Sequence, residues 1–364
     1  TIFHQANKYR FIEAAAESYY ASPYVSNFDT YSYKFSKNLS NTISLVFDKK
    51  TFKLDAGFRH QLINLGTDRE LPAAVGVVIP TENKENRLGA VGNLEIKLWD
   101  KVDVKSFLEY SNGKSFGNYL RSENLLKLEP IKGYILDAHV NFQSAIPSFN
   151  YLMNPSFYQN FNYNFGGAKN QSITEIGGKV NLKWFESSVF ANYFRIDNFA
   201  YFGTDFLPKQ SSETVNISQI GGEATLKYWK LNFNTKLLFQ SALSQKELLP
   251  MPNFVGRLNV FYQSKAFKNA AEIQTGFKVY YFSKFKSRDY FPVLNEFVLS
   301  NSGTSIGGQP IADAYFNMKV KRMMIFAEAQ HFNTTFMKNK SFTAPNYPIY
   351  DFRLNLAIVW YIFH

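Results

Sequence analysis

Charged side chains recur at every second position in several stretches of the sequence, and this spacing sets the chemistry available to the chain. Lys53 and Asp55 are two residues apart, as are Glu95 and Lys97. Residues at positions i and i+2 of a β-strand share a face, so such rows would place charges of both signs on one surface. That surface could attract ionic solutes, or its charges could pair across neighbouring strands.

If the strands close into a barrel, the residues on the polar side of each alternating stretch would line its inside, the lumen. The set is Lys53, Asp55, Arg59, Glu95, Lys97, Asp137, His139, Lys179, Lys183, Arg257, Glu272, Lys278, Asp313, Lys319, Glu328 and Arg353. Cations outnumber carboxylates in this set, which would favour anions in a water-filled pore. The alternative is that the charges form cross-strand pairs that only fill and rigidify the wall.

The sequence gives little support for catalysis. His139 lies near Asp137 and Asn141, but a position on a polar wall explains it without a nucleophile. The five His residues lack the close spacing of a metal site, and the absence of Cys excludes thiolate ligands and cysteine nucleophiles. We therefore predict no catalytic residues, no metal and no cofactor, and we do not expect an enzyme.

Strands are the elements that must position these side chains, because the hydrophobic pattern has a period of two. In residues 271–281, Ile273 and Phe277 alternate with Glu272 and Lys278, and the same alternation recurs along the chain. A strand of an outer-membrane barrel alternates in this way, with apolar side chains towards lipid and polar side chains towards the lumen.

The breaks between the alternating stretches are short and long in turn. Short reversals are predicted at residues 48–51, 99–102, 129–133, 184–187, 228–231, 265–269 and 321–323. Long connections are predicted at residues 21–34, 66–87, 148–171, 203–214, 285–309 and 335–349, and the first strand over residues 8–20. We predict an all-β protein, a transmembrane antiparallel up-and-down β-barrel of about 16 strands with short periplasmic turns and long extracellular loops. Residues 1–364 would form this single outer-membrane barrel.

The tryptophans fit this scheme. Trp99, Trp184 and Trp229 lie beside predicted short turns, and an even number of strands would bring Trp360 to the same side. Tryptophan rings favour the boundary between lipid and water. We therefore predict that the four residues form an aromatic girdle at the periplasmic interface.

Composition excludes other classes of protein. Aromatic residues make up 18% of the chain, and no unbroken apolar stretch reaches the roughly 18 residues of a membrane-spanning helix. The net charge of +11 is spread along the chain with acidic residues between the basic ones, so nucleic acid is not an expected partner. Residues 1–4 lack the pattern of a secretory leader, so we expect that a leader was removed or that the chain is a fragment.

The last hundred residues carry a family resemblance. The stretches concerned are residues 269–283 (NAAEIQTGFKVYYFS), 311–322 (IADAYFNMKVKR), 323–332 (MMIFAEAQHF) and 342–363 (FTAPNYPIYDFRLNLAIVWYIF). They resemble the putative porin family of Bacteroidota outer membranes. This resemblance implies a single-chain barrel in the outer membrane of a Gram-negative bacterium and, by the family's description, a porin.

Two functions from different classes are consistent with these features. The first is a porin-like channel for passive diffusion of small hydrophilic solutes, with a preference for anions. The alternative is a non-conducting accessory or scaffold barrel in an outer-membrane secretion, assembly or nutrient-uptake complex, for which the aromatic segment 148–165 (SFNYLMNPSFYQNFNYNF) would be a docking surface. The other interpretation of this segment is that it folds inwards as a constriction or extends the strands. The expected surroundings are outer-membrane lipid and lipopolysaccharide, with other outer-membrane proteins as partners in the alternative.

Overall fold

The computed structural model describes residues 1–13, 30–67, 82–156 and 158–362, and most of these residues form β-strands. Sixteen long strands belong to one sheet. They are β1 (Ile2–Glu13), β2 (Thr30–Lys49), β3 (Phe52–Gly66), β4 (Glu82–Leu98), β5 (Val102–Asn112), β6 (Tyr119–Ile131), β7 (Tyr134–Ala145), β8 (Gln171–Leu182), β9 (Ser187–Asp197), β10 (Val215–Tyr228), β11 (Leu231–Ala242), β12 (Phe254–Ala266), β13 (Ala271–Phe282), β14 (Ile311–Val320), β15 (Met323–Gln330) and β16 (Arg353–Trp360).

Each long strand pairs antiparallel with the next one along the chain. This order confirms the predicted all-β class and the predicted number of strands. Every predicted short reversal also falls between two consecutive strands; for example, β2 ends at Lys49 and β3 begins at Phe52. None of the helices within the described ranges is long and apolar enough to cross a membrane.

Strand boundaries at the start of the chain differ from the prediction. The first strand was predicted over residues 8–20, but β1 begins at Ile2 and ends at Glu13, and residues 14–20 lie outside the described part. The predicted connections 21–34 and 66–87 also overlap β2 and β4, and their centres lie outside the described residues. The polar ends of these strands obscured the alternation, because backbone pairing continues beyond the apolar pattern.

The two faces of the sheet differ as the alternation predicts. Leu45 and Phe58 point outward and are 84% and 79% exposed. Arg59, the next residue along β3, lies on the opposite face and contacts Glu109 of β5. An apolar outer face with a charged inner face is the arrangement of a membrane-spanning sheet.

The sheet has two edges, formed by β1 and β16. Within the described residues no pairing joins these two strands. All 8 residues of β16 are exposed, and Ile2 of β1 is 78% exposed. These two strands are therefore the edges at which the sheet could pair further.

The four tryptophans lie at the end of the strands where the short turns are. Trp99 and Trp229 are turn residues, and Trp184 begins a short 3₁₀ turn. Trp360 pairs with Met323, directly after the turn between β14 and β15. This is the placement that the sequence predicts, and the role of these rings as an interface girdle stays a prediction.

Three long connections pack together at the opposite end of the sheet, and we call their described residues within 146–170, 198–214 and 283–310 the loop cap. Its regular elements are one α-helical turn, one 3₁₀ turn and short strands. These are Phe149–Leu152, Met153–Asn154, Gln159–Phe161, Tyr163–Asn164, Ala200–Phe202, Pro208–Gln210, Phe285–Lys286, Asp289–Phe291, Glu296–Val298 and Ser305–Ile306. Outside the cap lie the 3₁₀ turns Trp184–Glu186 and Phe332–Thr335 and the strands Phe342–Ala344 and Tyr347–Pro348.

The main hydrophobic core belongs to the loop cap. It is formed by Tyr158, Phe161, Tyr163, Phe202, Phe291, Val293, Leu294 and Val298. Phe202 is completely buried, and its strand pairs with the strand Glu296–Val298 of a different connection. Residues distant in sequence therefore build one packed unit above the inner face of the sheet.

Candidate functional site

The strand pairings bring most of the predicted lumen-lining residues onto one face. Directly paired positions share a face, and the pairs include Lys53 with Glu95, Asp137 with Lys179, and Lys278 with Asp313. Lys183 is the exception, because β8 ends at Leu182 and Lys183 is exposed in the turn that follows. The prediction of Lys183 as a wall residue is corrected because the chain reverses one residue earlier than the alternation suggests.

The inner face of β1–β6, which we call the first wall, carries arginines that each contact a carboxylate. Arg59 Nη1 lies 2.5 Å from Glu109 Oε1, and Arg59 Nε donates to Thr42 Oγ1 at 3.1 Å. Arg121 Nη2 lies 2.5 Å from Glu123 Oε1. Thr42, Arg59, Glu109 and Arg121 line a cavity of about 620 Å³. Its cationic charge is balanced locally.

A third arginine of the first wall fixes a connection. Arg87 Nε lies 2.6 Å from Glu85 Oε1, and Arg87 Nη2 donates to the carbonyl of Gly117 at 2.9 Å. The other oxygen of Glu85 accepts the backbone N–H groups of Ser115 and Phe116 at 2.6 and 2.7 Å. Both charged side chains are almost completely buried, so their bonds hold the β5–β6 connection in place.

Five charged residues of the inner face are not among the predicted ones: Glu85, Arg87, Glu109, Arg121 and Glu123. Their signal was present, since they continue the alternation of β4, β5 and β6 on the side of the predicted residues. Arg59 extends across β4 to reach Glu109 of β5. Gly89 of β4 pairs with Arg59, and a Cβ atom at Gly89 would lie 2.4 Å from Ser111 Oγ of β5. The missing side chain at Gly89 is therefore explained by the close approach of Ser111.

The inner face of β8–β14, which we call the second wall, has a different charge balance. Lys179 and Lys236 both contact Glu223; the Lys179 Nζ to Glu223 Oε1 distance is 3.9 Å. Arg257 has no carboxylate within 4 Å among the described residues, and its Nη2 donates to Asn234 Oδ1 at 2.5 Å. A cavity of about 600 Å³ lies here, and Lys179, Glu223, Lys236 and Arg257 supply its charged lining.

Lys278 forms a more local group on the same wall. Its Nζ lies 3.1 Å from Glu328 Oε1 and 4.7 Å from the centre of the Tyr315 ring. Tyr315 donates its hydroxyl hydrogen to Asn259 Oδ1 at 3.1 Å. The predicted residues Lys278 and Glu328 thus form a cross-strand pair, which supports the pairing alternative at this point of the wall.

His139 belongs to a polar network of β7 and β8. Its Nε2 lies 3.2 Å from Glu175 Oε1, and Asn141 donates to Glu175 Oε2 at 3.0 Å. Gly177 faces His139, where a Cβ atom would come within 2.7 Å of the imidazole ring. Glu175, rather than Asp137, is therefore the carboxylate that holds this ring. Within the described ranges, no group of three or more His, Asp or Glu residues could bind a metal ion.

The loop cap reaches across the inner face of the sheet to β1 and β2. The Tyr9 hydroxyl donates to the carbonyl of Pro292, and Lys34 Nζ donates to Asn154 Oδ1 at 3.1 Å. Pro292 and Asn154 belong to the β13–β14 and β7–β8 connections, whereas Tyr9 and Lys34 face inward from β1 and β2. The cap therefore spans the end of the lumen that the long connections surround.

The polar groups inside the cap are desolvated. Burial raises the pKa of Tyr151 to about 12, and the nearby Glu296 carboxylate adds to this effect. Burial also raises the pKa of Tyr163 well above its usual value and lowers the pKa of Arg288. Asn150 donates to Glu296 Oε1 at 2.6 Å and thereby joins two connections. The cap has the dry, packed interior of a small domain.

Burial also corrects the prediction for the aromatic segment 148–165. Tyr158, Phe161 and Tyr163 are 1%, 5% and 6% exposed because they pack within the cap. They do not form the exposed docking surface that was one of the two interpretations of this segment; the segment folds inwards, which was the other. The inward folding of the segment places its rings against two other connections instead.

Comparisons with known proteins agree with the fold. The sequence model of the family described as "Putative porin" matches residues 1–364. No curated protein matches the chain.

Solved structures with a similar fold are receptors and transporters for iron compounds. The ferric enterobactin receptor of Pseudomonas aeruginosa superposes with a TM-score of 0.68 at 12% identity, covering 99% of this chain and 59% of the receptor. The FrpB iron transporter of Neisseria meningitidis gives 0.68 at 11% identity, with 98% and 59% covered. The siderophore receptor PirA of Acinetobacter baumannii gives 0.67 at 10% identity, with 99% and 59% covered. The chain thus spans about three-fifths of these structures, and the likeness is one of fold.

Proposed function

Because the chain belongs to the family described as "Putative porin", we propose that it forms a water-filled channel for passive diffusion of small hydrophilic solutes. The family and the fold locate the chain in the outer membrane of a Gram-negative bacterium. The observation that carries the proposal is the charged and polar inner face of the sheet, with a cavity of about 620 Å³ on the first wall. The proposed channel carries out no catalysis, and its surroundings are outer-membrane lipid and lipopolysaccharide.

The proposal includes closure of the sheet into one barrel. An open strand edge does not persist in the hydrocarbon layer, because unpaired backbone groups there cost several kcal/mol each. Barrels of about 16 strands leave an aqueous channel unless something blocks it. Direct pairing of β1 with β16 is the simplest closure, since both edges are exposed and sixteen strands make these two antiparallel.

Cysteine cross-linking tests the closure in a chain that has no other Cys. A cysteine at Ala6 of β1 would be combined in turn with one at Leu354, Leu356 or Ile358 of β16. We expect one combination to form a disulfide within a single chain in outer membranes. Cross-links only between chains, or none in folded protein, would contradict direct pairing.

The loop cap narrows the proposed channel at its outer end. The cap is built from the connections between β7 and β14, and it contacts β1 and β2 across the inner face of the sheet. Solutes would therefore have to pass around or through this packed unit. We therefore expect a low permeability that depends on the packing of the cap, and a cut-off that excludes larger solutes.

Swelling of liposomes in isosmotic sugar solutions tests the channel. Wild-type protein should admit pentoses and exclude trisaccharides. Phe202→Ala, which removes a completely buried ring from the cap, should admit larger sugars. Phe58→Ala on the outer face is the matched control and should behave as wild type. Absence of swelling with both folded wild type and Phe202→Ala would contradict a diffusion channel.

A further inference from the structure

The cavity on the second wall combines an apolar surface with unbalanced cations. Its volume of about 600 Å³ lies within the range of small-molecule sites. Phe190, Leu238 and Phe282 supply inward-facing apolar side chains on three different strands. Such a surface is unexpected in a lumen that only conducts hydrophilic solutes, because exposing apolar side chains to water is energetically unfavourable.

The shape of the apolar surface depends on a glycine. Gly221 of β10 pairs with Phe190 of β9, and a Cβ atom at Gly221 would lie 2.6 Å from Phe190 Cζ. The Phe190 ring therefore lies flat against the wall over Gly221. A flat ring offers its face to a ligand and leaves the space in front of it open.

The cations of this cavity exceed its carboxylates. Lys179 and Lys236 share the single carboxylate of Glu223. Arg257 is held by the neutral amide of Asn234, which itself donates to Thr225 Oγ1 at 2.8 Å. Arg257 Nε is buried and has no hydrogen-bond partner among the described residues. The guanidinium group thus has a fixed position and, among the described residues, no carboxylate partner.

We propose that this cavity binds an organic anion with an apolar body, of the aryl carboxylate class. The carboxylate lies against Arg257, which offers the geometry that suits carboxylates best, and the ring packs against Phe190, Leu238 and Phe282. This inference rests on the proposed lumen and names a class of solute for it. Binding to the protein in detergent does not require conduction, so the two proposals can fail separately.

The first wall supplies the contrast that makes the inference specific. Its cavity is of similar volume, but Arg59 and Arg121 each contact a carboxylate at 2.5 Å. An added anion there would have to compete with Glu109 or Glu123 and would be repelled by it. The same ligand should therefore select the second wall.

Equilibrium dialysis of the full chain in detergent, with benzoate as the probe, tests the inference. Wild type should bind benzoate saturably at one site per chain. The neutral isostere benzamide should bind at least about tenfold more weakly, because it lacks the charge-assisted contact with Arg257. Arg257→Gln should weaken benzoate binding to a similar extent. Arg121→Gln removes an equal charge from the first wall and should leave the affinity within about twofold of wild type.

A second variant tests the apolar side of the site. Leu238→Asn should weaken benzoate binding but leave the much weaker binding of acetate unchanged. Circular dichroism confirms that each variant is folded. The inference is overturned if folded wild type shows no saturable binding, if benzamide equals benzoate, or if Arg121→Gln and Arg257→Gln lower the affinity equally.

Discussion

The first and second walls of the lumen carry similar charged residues but balance them differently. On the first wall, Arg59 and Arg121 each have a carboxylate at 2.5 Å. On the second wall, Arg257 donates to the amide of Asn234 and has no carboxylate within 4 Å among the described residues, and two lysines share Glu223. The net charge of a lumen is therefore a poor guide to its electrostatic potential, because the potential of a cation is largely cancelled by its carboxylate partner within a few ångströms. Selectivity should depend on the few cations that lack an anionic partner.

The largest expected effect concerns stability. Arg59→Gln leaves Glu109, whose side chain is 6% exposed, without its cation. We expect a loss of about 3 kcal/mol, at the lower end for a broken buried pair because Arg59 itself is partly exposed. Arg257→Gln should cost about 1 kcal/mol, since its partner is neutral. Guanidinium unfolding in lipid vesicles, followed by tryptophan fluorescence, measures both losses.

A double variant controls the stability comparison. Arg59→Gln combined with Glu109→Gln removes both charges and should recover part of the stability that Arg59→Gln alone loses. Equal losses for Arg59→Gln and Arg257→Gln would show that the two walls do not differ as described.

The next effect concerns ion selectivity. Arg257→Gln should lower the ratio of anion to cation permeability roughly twofold, the order expected for one screened charge in a wet lumen. The combined change Arg121→Gln with Glu123→Gln removes a pair from the first wall and should leave the ratio unchanged. Reversal potentials in a salt gradient measure both. A larger shift from the paired change than from Arg257→Gln would reverse the comparison.

The smallest effect concerns the titration of Tyr151 inside the cap, which contacts the first wall through Tyr9 and Lys34. Burial raises the pKa of Tyr151 from 10.0 to about 12, and the negative charge of Glu296 adds to this effect. The folded state binds the phenol proton of Tyr151 more tightly than the unfolded state does. This group therefore leaves the free energy of unfolding unchanged below pH 10 and lowers it as the pH rises from about 10 to 12. Tyrosinate absorbance of wild type and Tyr151→Phe should differ by one late-titrating group. Titration of that group at its ordinary pKa would contradict a dry cap.

The strands and turns could be predicted from the sequence because both depend on local pattern. The alternation in β13 and the reversal between β2 and β3 are examples. The first strand was misplaced because polar side chains at strand ends do not reveal that the backbone is paired. The positions of Trp99, Trp184 and Trp229 at the short turns also followed from local pattern.

The charge partners could not be predicted, because they depend on which strands a side chain can reach. Arg59 and Glu109 lie 50 residues apart on strands that are not adjacent, and the Arg59 side chain crosses β4 to make the contact. The cap was beyond local pattern for a similar reason. Phe202 and Val298 meet through a pairing between two separate connections, which neither segment specifies alone.

Single-channel conductance of the purified chain in a planar bilayer is the most direct test of whether a polar lumen under the loop cap conducts. We expect small steady openings for wild type, larger ones for Phe202→Ala, and a reversal potential shifted towards that of the anion. Silence from both proteins, when circular dichroism shows that they are folded, would contradict conduction.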